Sequence, residues 1–130
     1  MAQVIDPEGW HRPSGYSHGV MAAGRLLAVA GQIGAGPDGR LAGPDLVAQF
    51  DRALANVAEV VGAAGGRMDD LLSMTIYVLD RAAYLAARAA LGEVWRRRAG
   101  RRYPAMTLVE VRGLVAEGAL VEVQALAVLP

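Results

Sequence analysis

The feature that most constrains the fold of this chain is a pair of apolar segments near its C-terminal end. Residues 118–125 and residues 103–111 are rich in β-branched and aliphatic side chains, and glycine or proline bounds each of them. Such composition predicts two β-strands. Pro104 fits the first position of a strand, where a missing N–H group costs least. The short intervening loop allows the strands to pair as a hairpin or to flank another strand.

Glu122 is unusual because it lies inside an apolar run, residues 119–129. A buried carboxylate is unfavourable unless it is paired or faces a cavity. Two interpretations remain open. Alternation could place Glu122 and Gln124 on one solvated face of the strand, as in many antiparallel sheets. Alternatively, Glu122 lines a cleft and acts there as a general base.

The length of 130 residues fits one domain, residues 1–130, with a core of useful size. Hydrophobic residues make up 54% of the chain, which is high for a small domain and indicates apolar surface shared between subunits. No apolar run reaches about 18 residues, so no membrane-spanning helix is expected. Residues 1–13 lack a signal-peptide core, and the expected location is cytoplasmic.

Several residue types are missing, and their absence narrows the chemistry. The chain has no cysteine and no lysine, which excludes thiol nucleophiles, thiolate metal sites and Schiff-base catalysis. His11 and His18 are the only histidines, so we expect no multi-histidine metal site. A formal net charge of zero gives no general attraction to nucleic acid.

The hydrophobic periodicity predicts the element order β-β-α-β-α-β-β, an α+β fold with one sheet and two helices on one face. Residues 2–13 are predicted to be irregular, and the first two strands to form a hairpin around Gly24. Pro44 is expected at the first position of the first helix. The predicted segments are strands near 19–22 and 26–30, a helix over 45–64, a strand within 68–80, a helix over 82–99 and the two C-terminal strands. The uncovered sheet face is expected to contact other subunits.

Five of the seven residues 96–102, at the end of the second predicted helix, are arginines. Cations near a helix C-terminus interact favourably with its dipole, which is the simpler explanation. The alternative is a surface that binds anions or nucleic acid.

The chain resembles the Rid (reactive intermediate deaminase) family, also called the YjgF family. The resemblance covers nearly the whole chain and depends on the order and spacing of several motifs. These are residues 15–19 (GYSHG), 30–33 (AGQI), 36–39 (GPDG), Gln49 with 53–57 (ALANV), 63–65 (AAG), 75–80 (TIYVLD), 103–105 (YPA) and 121–123 (VEV).

The resemblance implies a chorismate-mutase-like fold with one mixed β-sheet. It also implies a homotrimer that binds small molecules in clefts between subunits, with no cofactor and no metal. The zero net charge and the lack of a long apolar run are the reasons to expect no nucleic acid and no membrane as a partner. Known members hydrolyse short imines or enamines to 2-keto acids and ammonia. By the same resemblance, Glu122 is the catalytic, water-positioning carboxylate, Gly31 offers backbone groups to the substrate, and Tyr16 lines the cleft.

Three positions of the predicted site differ from the family pattern. Met106 stands where active deaminases have the arginine that anchors the substrate carboxylate. Arg88 stands where an asparagine is usual, and Leu108 replaces a small polar residue or cysteine. These changes predict a more apolar cleft. Arg88 either supplies the displaced guanidinium or is a solvated surface residue.

Three functions follow as hypotheses. The first is a cofactor-free imine or enamine hydrolase with a non-standard substrate, in which Glu122 positions or activates the attacking water. The second is a module that binds a small acid or aromatic metabolite without turnover, which Met106 favours. The third is a ribonuclease or translation inhibitor, which only the arginine cluster at 96–102 supports.

Overall fold

The structure, a computed structural model, describes residues 2–130. These residues contain six strands, three α-helices and a short 3-10 turn. In order they are β1 (Gln3–Ile5), β2 (Gly19–Met21), β3 (Arg25–Ile33), α1 (Leu46–Ala63), the 3-10 turn (Met68–Asp70), β4 (Leu71–Val78), α2 (Arg81–Ala86), α3 (Arg88–Ala99), β5 (Ala105–Glu110) and β6 (Val121–Leu129). No helix within residues 2–130 is long and apolar enough to span a membrane.

The main sheet has four strands in the order β3-β6-β4-β5. β4 and β5 are parallel, whereas β6 is antiparallel to both of its neighbours. The two C-terminal strands therefore flank β4 and do not form a hairpin. The helices cover one face of this sheet, so the predicted α+β fold with a mixed sheet is confirmed.

The N-terminal region differs from the prediction. Residues 3–5 form β1 and are not irregular, and β1 pairs with β2 in a separate two-stranded sheet. The predicted hairpin between the first two strands is wrong, because β3 pairs with β6 from Arg25 opposite Leu129 onwards. Gly24 allows the start of β3 to lie this close to the end of β6. Its φ is +146°, and a Cβ there would overlap the Leu129 carbonyl.

α1 follows the prediction within a residue at each end. Asp45 caps it, since its carboxylate accepts a hydrogen bond from the Ala48 N–H at 3.0 Å. Pro44 therefore precedes the cap and does not occupy the first helical position, which corrects the prediction. The apolar stripe of α1 is buried against the sheet; it consists of Phe50, Ala53, Leu54, Val57 and Val61.

The second predicted helix is two helices, α2 and α3, separated at Ala87. The Ala87 N–H is shared between the carbonyls of Ala83 and Tyr84, and its ψ of 7° departs from helical geometry. The strand predicted within residues 68–80 is also shorter, because residues 68–70 form the 3-10 turn and β4 begins only at Leu71. A bulge between Leu71 and Ser73 interrupts the alternation of β4, so Leu71 is buried and Leu72 is only half-buried.

Gln49 connects α1 to two loops and is fully buried. Its Nε2 donates hydrogen bonds to the carbonyls of Gly43 and Gly118, at 2.8 and 3.1 Å. Its Oε1 accepts from the Leu120 N–H at 2.8 Å. Because a buried polar group is stable only when it is satisfied, this amide fixes the entry to β6.

We predict that Gln49→Leu lowers the free energy of unfolding by about 3 kcal/mol, because three backbone groups lose their buried partner. Urea denaturation at fixed protein concentration measures the change. Gln3→Leu, at an exposed position of β1, is the control and is expected to change it by less than about 0.5 kcal/mol. Equal effects of the two substitutions would contradict the role of Gln49.

Arg98 joins α3 to α1 through an ion pair with Asp51, with an Nε to Oδ1 distance of 2.7 Å. The hydrogen bond from Arg98 lowers the pKa of Asp51 below its ordinary value of 3.8, against partial desolvation that raises it. Both side chains are partly exposed, so solvent screening limits the pair to about 0.2–1 kcal/mol.

A folded-state pKa below the unfolded one stabilises the fold above pH 3.8, and this contribution is lost as the pH falls through the lowered value. Arg98→Gln is therefore expected to destabilise the protein by about 0.5 kcal/mol at neutral pH and by less in acid. Urea denaturation of both proteins at neutral and acidic pH checks the difference. Arg101→Gln serves as the control, and a pH-independent loss in Arg98→Gln would refute the linkage.

Candidate functional site

A cavity of about 550 Å³ lies on the helix side of the sheet, between α3 and β5. Aromatic side chains dominate its wall: five of the seven aromatic residues of the chain line it. The lining residues are Ser14, Gly15, Tyr16, Phe50, Ile76, Tyr84, Arg88, Leu91, Gly92, Trp95, Arg96, Tyr103, Met106, Thr107 and Leu108. A volume of this size suits a small organic molecule.

Four residues predicted from the sequence meet in this cavity. Tyr16 comes from the N-terminal segment, Arg88 from the start of α3, and Met106 and Leu108 from β5. Met106 and Leu108 face the helices because alternate residues of β5 point to the same side. The break at Ala87 places Arg88 in the first turn of α3, at the rim of the cavity.

Tyr16 is held in place by the N-terminal segment. The ring of His11 is hydrogen-bonded to the Tyr16 hydroxyl at 2.8 Å, and the ring of His18 packs edge-on against Tyr16 at 5.4 Å. Ser17 connects this segment to the start of β5, since its N–H donates to the Pro104 carbonyl and its hydroxyl to the Tyr103 carbonyl. The two histidines therefore position the cavity wall.

The aromatic wall is rigid and uncharged. Trp95 stacks on Tyr103 with ring centroids 5.1 Å apart, and its indole N–H donates to the Arg102 carbonyl at 3.0 Å. Tyr84 packs edge-on against Phe50. Burial raises the pKa of Tyr84 above its ordinary value of 10.0, so its phenol stays protonated at neutral pH.

Glu122 and Gly31 lie elsewhere, on the face of the sheet that no helix covers. The neighbours Val121 and Val123 are buried in the core, so alternation directs Glu122 to the opposite face. Gly31 lies within the irregularity of β3 between Val29 and Gln32. A Cβ at Gly31 would overlap the Glu122 carboxylate, so the absence of a side chain makes room for the carboxylate.

The six predicted site residues therefore form two groups within one subunit. Glu122 is half-buried and does not line the aromatic cavity. Gly31 borders a second, more open cavity of about 530 Å³, beside Asn56. The amide of Asn56 donates to the Ile33 and Ala35 carbonyls, which fixes the glycine-rich loop after β3.

Several residues of the aromatic cavity were not predicted from the sequence as site residues. They include Tyr84, Trp95 and Arg96, the last of which was expected only as part of the arginine cluster at a helix end. A signal was present, since Arg88, Gly92 and Arg96 are spaced by four and share one side of a helix. The arginine cluster itself is divided, because Arg98 pairs with Asp51 and Arg102 donates to the Ala2 carbonyl.

Comparison with known proteins identifies the family. The family model described as Endoribonuclease L-PSP matches residues 10–129. This chain belongs to that family, the Rid or YjgF family. A RutC family protein of Pyrococcus horikoshii is 31% identical over 98% of both chains.

Solved structures of other Rid-family proteins have the same fold. The Rid-family protein YyfB of Yersinia pestis is 34% identical over 98% of both chains, with a TM-score of 0.88. A YjgF/YER057c/UK114 family member of Mycobacterium tuberculosis is 35% identical, with a TM-score of 0.65 over 88% of this chain and 87% of that one. The fold of this chain is therefore the chorismate-mutase-like fold of its Rid-family neighbours.

We predict that Gly31→Ala destabilises the protein through its contact with Glu122. The free energy of unfolding is expected to fall by about 1 kcal/mol. Most of this decrease should disappear in a Glu122→Ala background, where the carboxylate is absent. A double-mutant cycle by urea denaturation measures this coupling.

Gly34→Ala is the matched control for this cycle. A Cβ at Gly34 would overlap the backbone of Gln49 in α1, which Glu122→Ala leaves unchanged. Its destabilisation should therefore be the same in both backgrounds. If Gly31→Ala behaves in the same way as Gly34→Ala, the carboxylate does not occupy the space above Gly31.

Proposed function

We propose that this Rid-family protein is a homotrimer that hydrolyses imines or enamines of 2-amino acids with large side chains, aromatic ones above all. No cofactor takes part in the proposed reaction. Its site lies in a cleft between subunits, where the aromatic cavity of one protomer meets Glu122 and Gly31 of the next. The preference for large side chains follows from Met106, Leu108 and the aromatic wall.

The separation of the predicted site residues into two groups is the observation that carries this proposal. One group lies on the helix side, at the outer strand β5, and the other on the bare sheet face. Apolar residues are exposed on that bare face; Leu26 of β3 is 67% exposed and Leu126 of β6 is 37% exposed. Burial of this face by a second copy would stabilise an oligomer and bring a carboxylate to the edge of a neighbouring cavity.

The proposed reaction needs one water molecule and no redox change. Glu122 accepts a proton from water as the water oxygen bonds to the imine carbon, and the C=N double bond becomes a single bond. The proton then passes to the nitrogen of the tetrahedral adduct. Glu122 then takes the proton of the adduct's hydroxyl group and returns it to the nitrogen. The C–N bond breaks, ammonia leaves, and the C–O bond becomes the carbonyl of a 2-keto acid.

Arg88 takes the role of substrate anchor in this scheme. Its guanidinium borders the cavity, where it can donate two parallel hydrogen bonds to a carboxylate. Met106, which occupies the position of the usual anchoring arginine, adds apolar surface beside it. The substrate carboxylate is then held from α3 and not from β5.

Glu122→Gln is expected to lower the rate of ammonia release by about 10²- to 10⁴-fold, because an amide cannot accept the proton of water. The assay uses imines generated in place by an amino acid oxidase from phenylalanine, compared with aminoacrylate. Wild-type protein should accelerate hydrolysis more with the aromatic substrate. Glu117→Gln, at an exposed loop carboxylate, is the control. Turnover that survives Glu122→Gln unchanged would refute this mechanism.

A non-catalytic binding module is the second candidate, and the composition of the cavity favours it. Met106 and the aromatic wall suit binding, while the carboxylate lies outside this cavity. Under this hypothesis the protein binds an aromatic acid, but wild type releases no more ammonia than buffer does. Binding by both wild type and Glu122→Gln without turnover would identify the module.

A ribonuclease activity has weaker support. Its residue basis is the arginine cluster at 96–102, and two of those arginines are already occupied by Asp51 and Ala2. RNA cleavage lost on substitution of Arg96, Arg97 and Arg101 would support it.

A further inference from the structure

We propose that the aromatic cavity selects a ligand with two acidic groups on a planar body, and that Arg96 is the specificity-determining residue for the second acid. This inference rests on the proposed function only in taking the cavity as the ligand site. Arg88 binds the first acidic group, as the substrate anchor, and Arg96 binds the other.

The cavity carries two positive charges that the protein does not neutralise. Arg88 and Arg96 line it, and none of its fifteen lining residues is an aspartate or a glutamate. Among residues 2–130, no carboxylate lies within salt-bridge distance of either guanidinium. Four other arginines in that range are paired with acids, namely Arg40, Arg52, Arg67 and Arg98. The remaining arginines there also have no acidic partner within salt-bridge distance, but only Arg88 and Arg96 line the cavity. The uncompensated charge therefore favours an anionic ligand.

The geometry of α3 places Arg88 and Arg96 on one side of the helix. They are eight residues apart, a rise of about 12 Å along the helix axis. Gly92 lies between them, and Nη1 of Arg96 lies 3.9 Å from a Cβ built there. The Arg96 side chain therefore folds back over Gly92, one turn nearer to Arg88 along the helix. A ligand that extends along this side of α3 can contact both arginines.

The remainder of the wall defines the body of the ligand. Tyr16, Phe50, Tyr84, Trp95 and Tyr103 present ring faces and edges to the cavity. Such surfaces favour a planar, apolar body by stacking and edge contacts. An aromatic diacid combines this body with charges that match the two arginines.

Position alone offers a simpler explanation of Arg96, since it lies in the last turn of α3 with Arg97 and Arg98. A cation there stabilises the helix whether or not a ligand binds. Arg97 shares that helix end but does not line the cavity, so it separates the two explanations.

The test measures binding by calorimetry with two unreactive probes of the same skeleton, cinnamate and 4-carboxycinnamate. Wild type is expected to bind the diacid about tenfold more tightly, the effect of one added charge-assisted hydrogen bond. Arg96→Gln should remove this preference by weakening diacid binding much more than cinnamate binding, while Arg96→Lys retains part of the preference. Arg88→Gln should weaken both probes, and Arg97→Gln neither. Circular dichroism confirms that each variant is folded.

The proposal is overturned if wild type binds the two probes equally or binds neither at millimolar concentration. It is also overturned if Arg96→Gln and Arg97→Gln reduce diacid binding to the same extent. Because the probes contain no imine, the result is independent of turnover. A diacid preference that depends on Arg96 upholds the inference even if Glu122→Gln leaves hydrolysis unchanged. If the protein hydrolyses imines but Arg96→Gln keeps the preference for the diacid, this inference is wrong and the proposed function stands.

Discussion

The alternation of side chains along β6 is the constraint on which the rest of the structure depends. β6 lies between β3 and β4, and its odd-numbered residues from Val121 to Leu129 are buried beneath the helices. A shift of the register by one residue would place Glu122 in this core and expose the valines. The fixed register therefore both builds the core and presents a carboxylate on the opposite face. Gln49 reinforces this register by binding the Leu120 N–H just before the strand.

Much of the fold could be predicted from local pattern. The apolar stripe of α1 and the alternation in β6 depend on periodicity within one segment, and the structure has both. The alternation of β4 holds from Met74 onwards, beyond its bulge. The errors concern choices that neighbouring residues do not determine. β3 could have paired with β2, but it pairs with β6, about a hundred residues away. The break at Ala87 lies in an alanine-rich segment, residues 82–90, in which no proline or glycine indicates the end of a helix.

The sequence predicted six site residues but not how the fold arranges them. Tyr16, Arg88, Met106 and Leu108 share a cavity, whereas Glu122 and Gly31 lie against each other on another face. Resemblance gave the six residues, and it could not show which of them one subunit brings together. Arg96 was missed because a charge at a helix end has an adequate structural explanation. The Arg96 side chain folds back over Gly92, and the cavity that it lines forms only where α3 packs beside β5.

The bond between Ser17 and the start of β5 has a consequence for folding and dynamics. The cavity wall comes from five parts of the chain, namely residues 14–16, Phe50, Ile76, and residues 84–96 and 103–108. The Ser17 hydrogen bond to the Tyr103 carbonyl joins the first of these to the last across 86 positions of sequence. Contacts of such long range are slow to form because a large loop must close. Residues 14–16 are exposed or half-buried, so we expect this segment to be weakly protected in amide hydrogen exchange. A molecule lodged beneath it would slow that opening, since binding to the closed state alone shifts the equilibrium towards it.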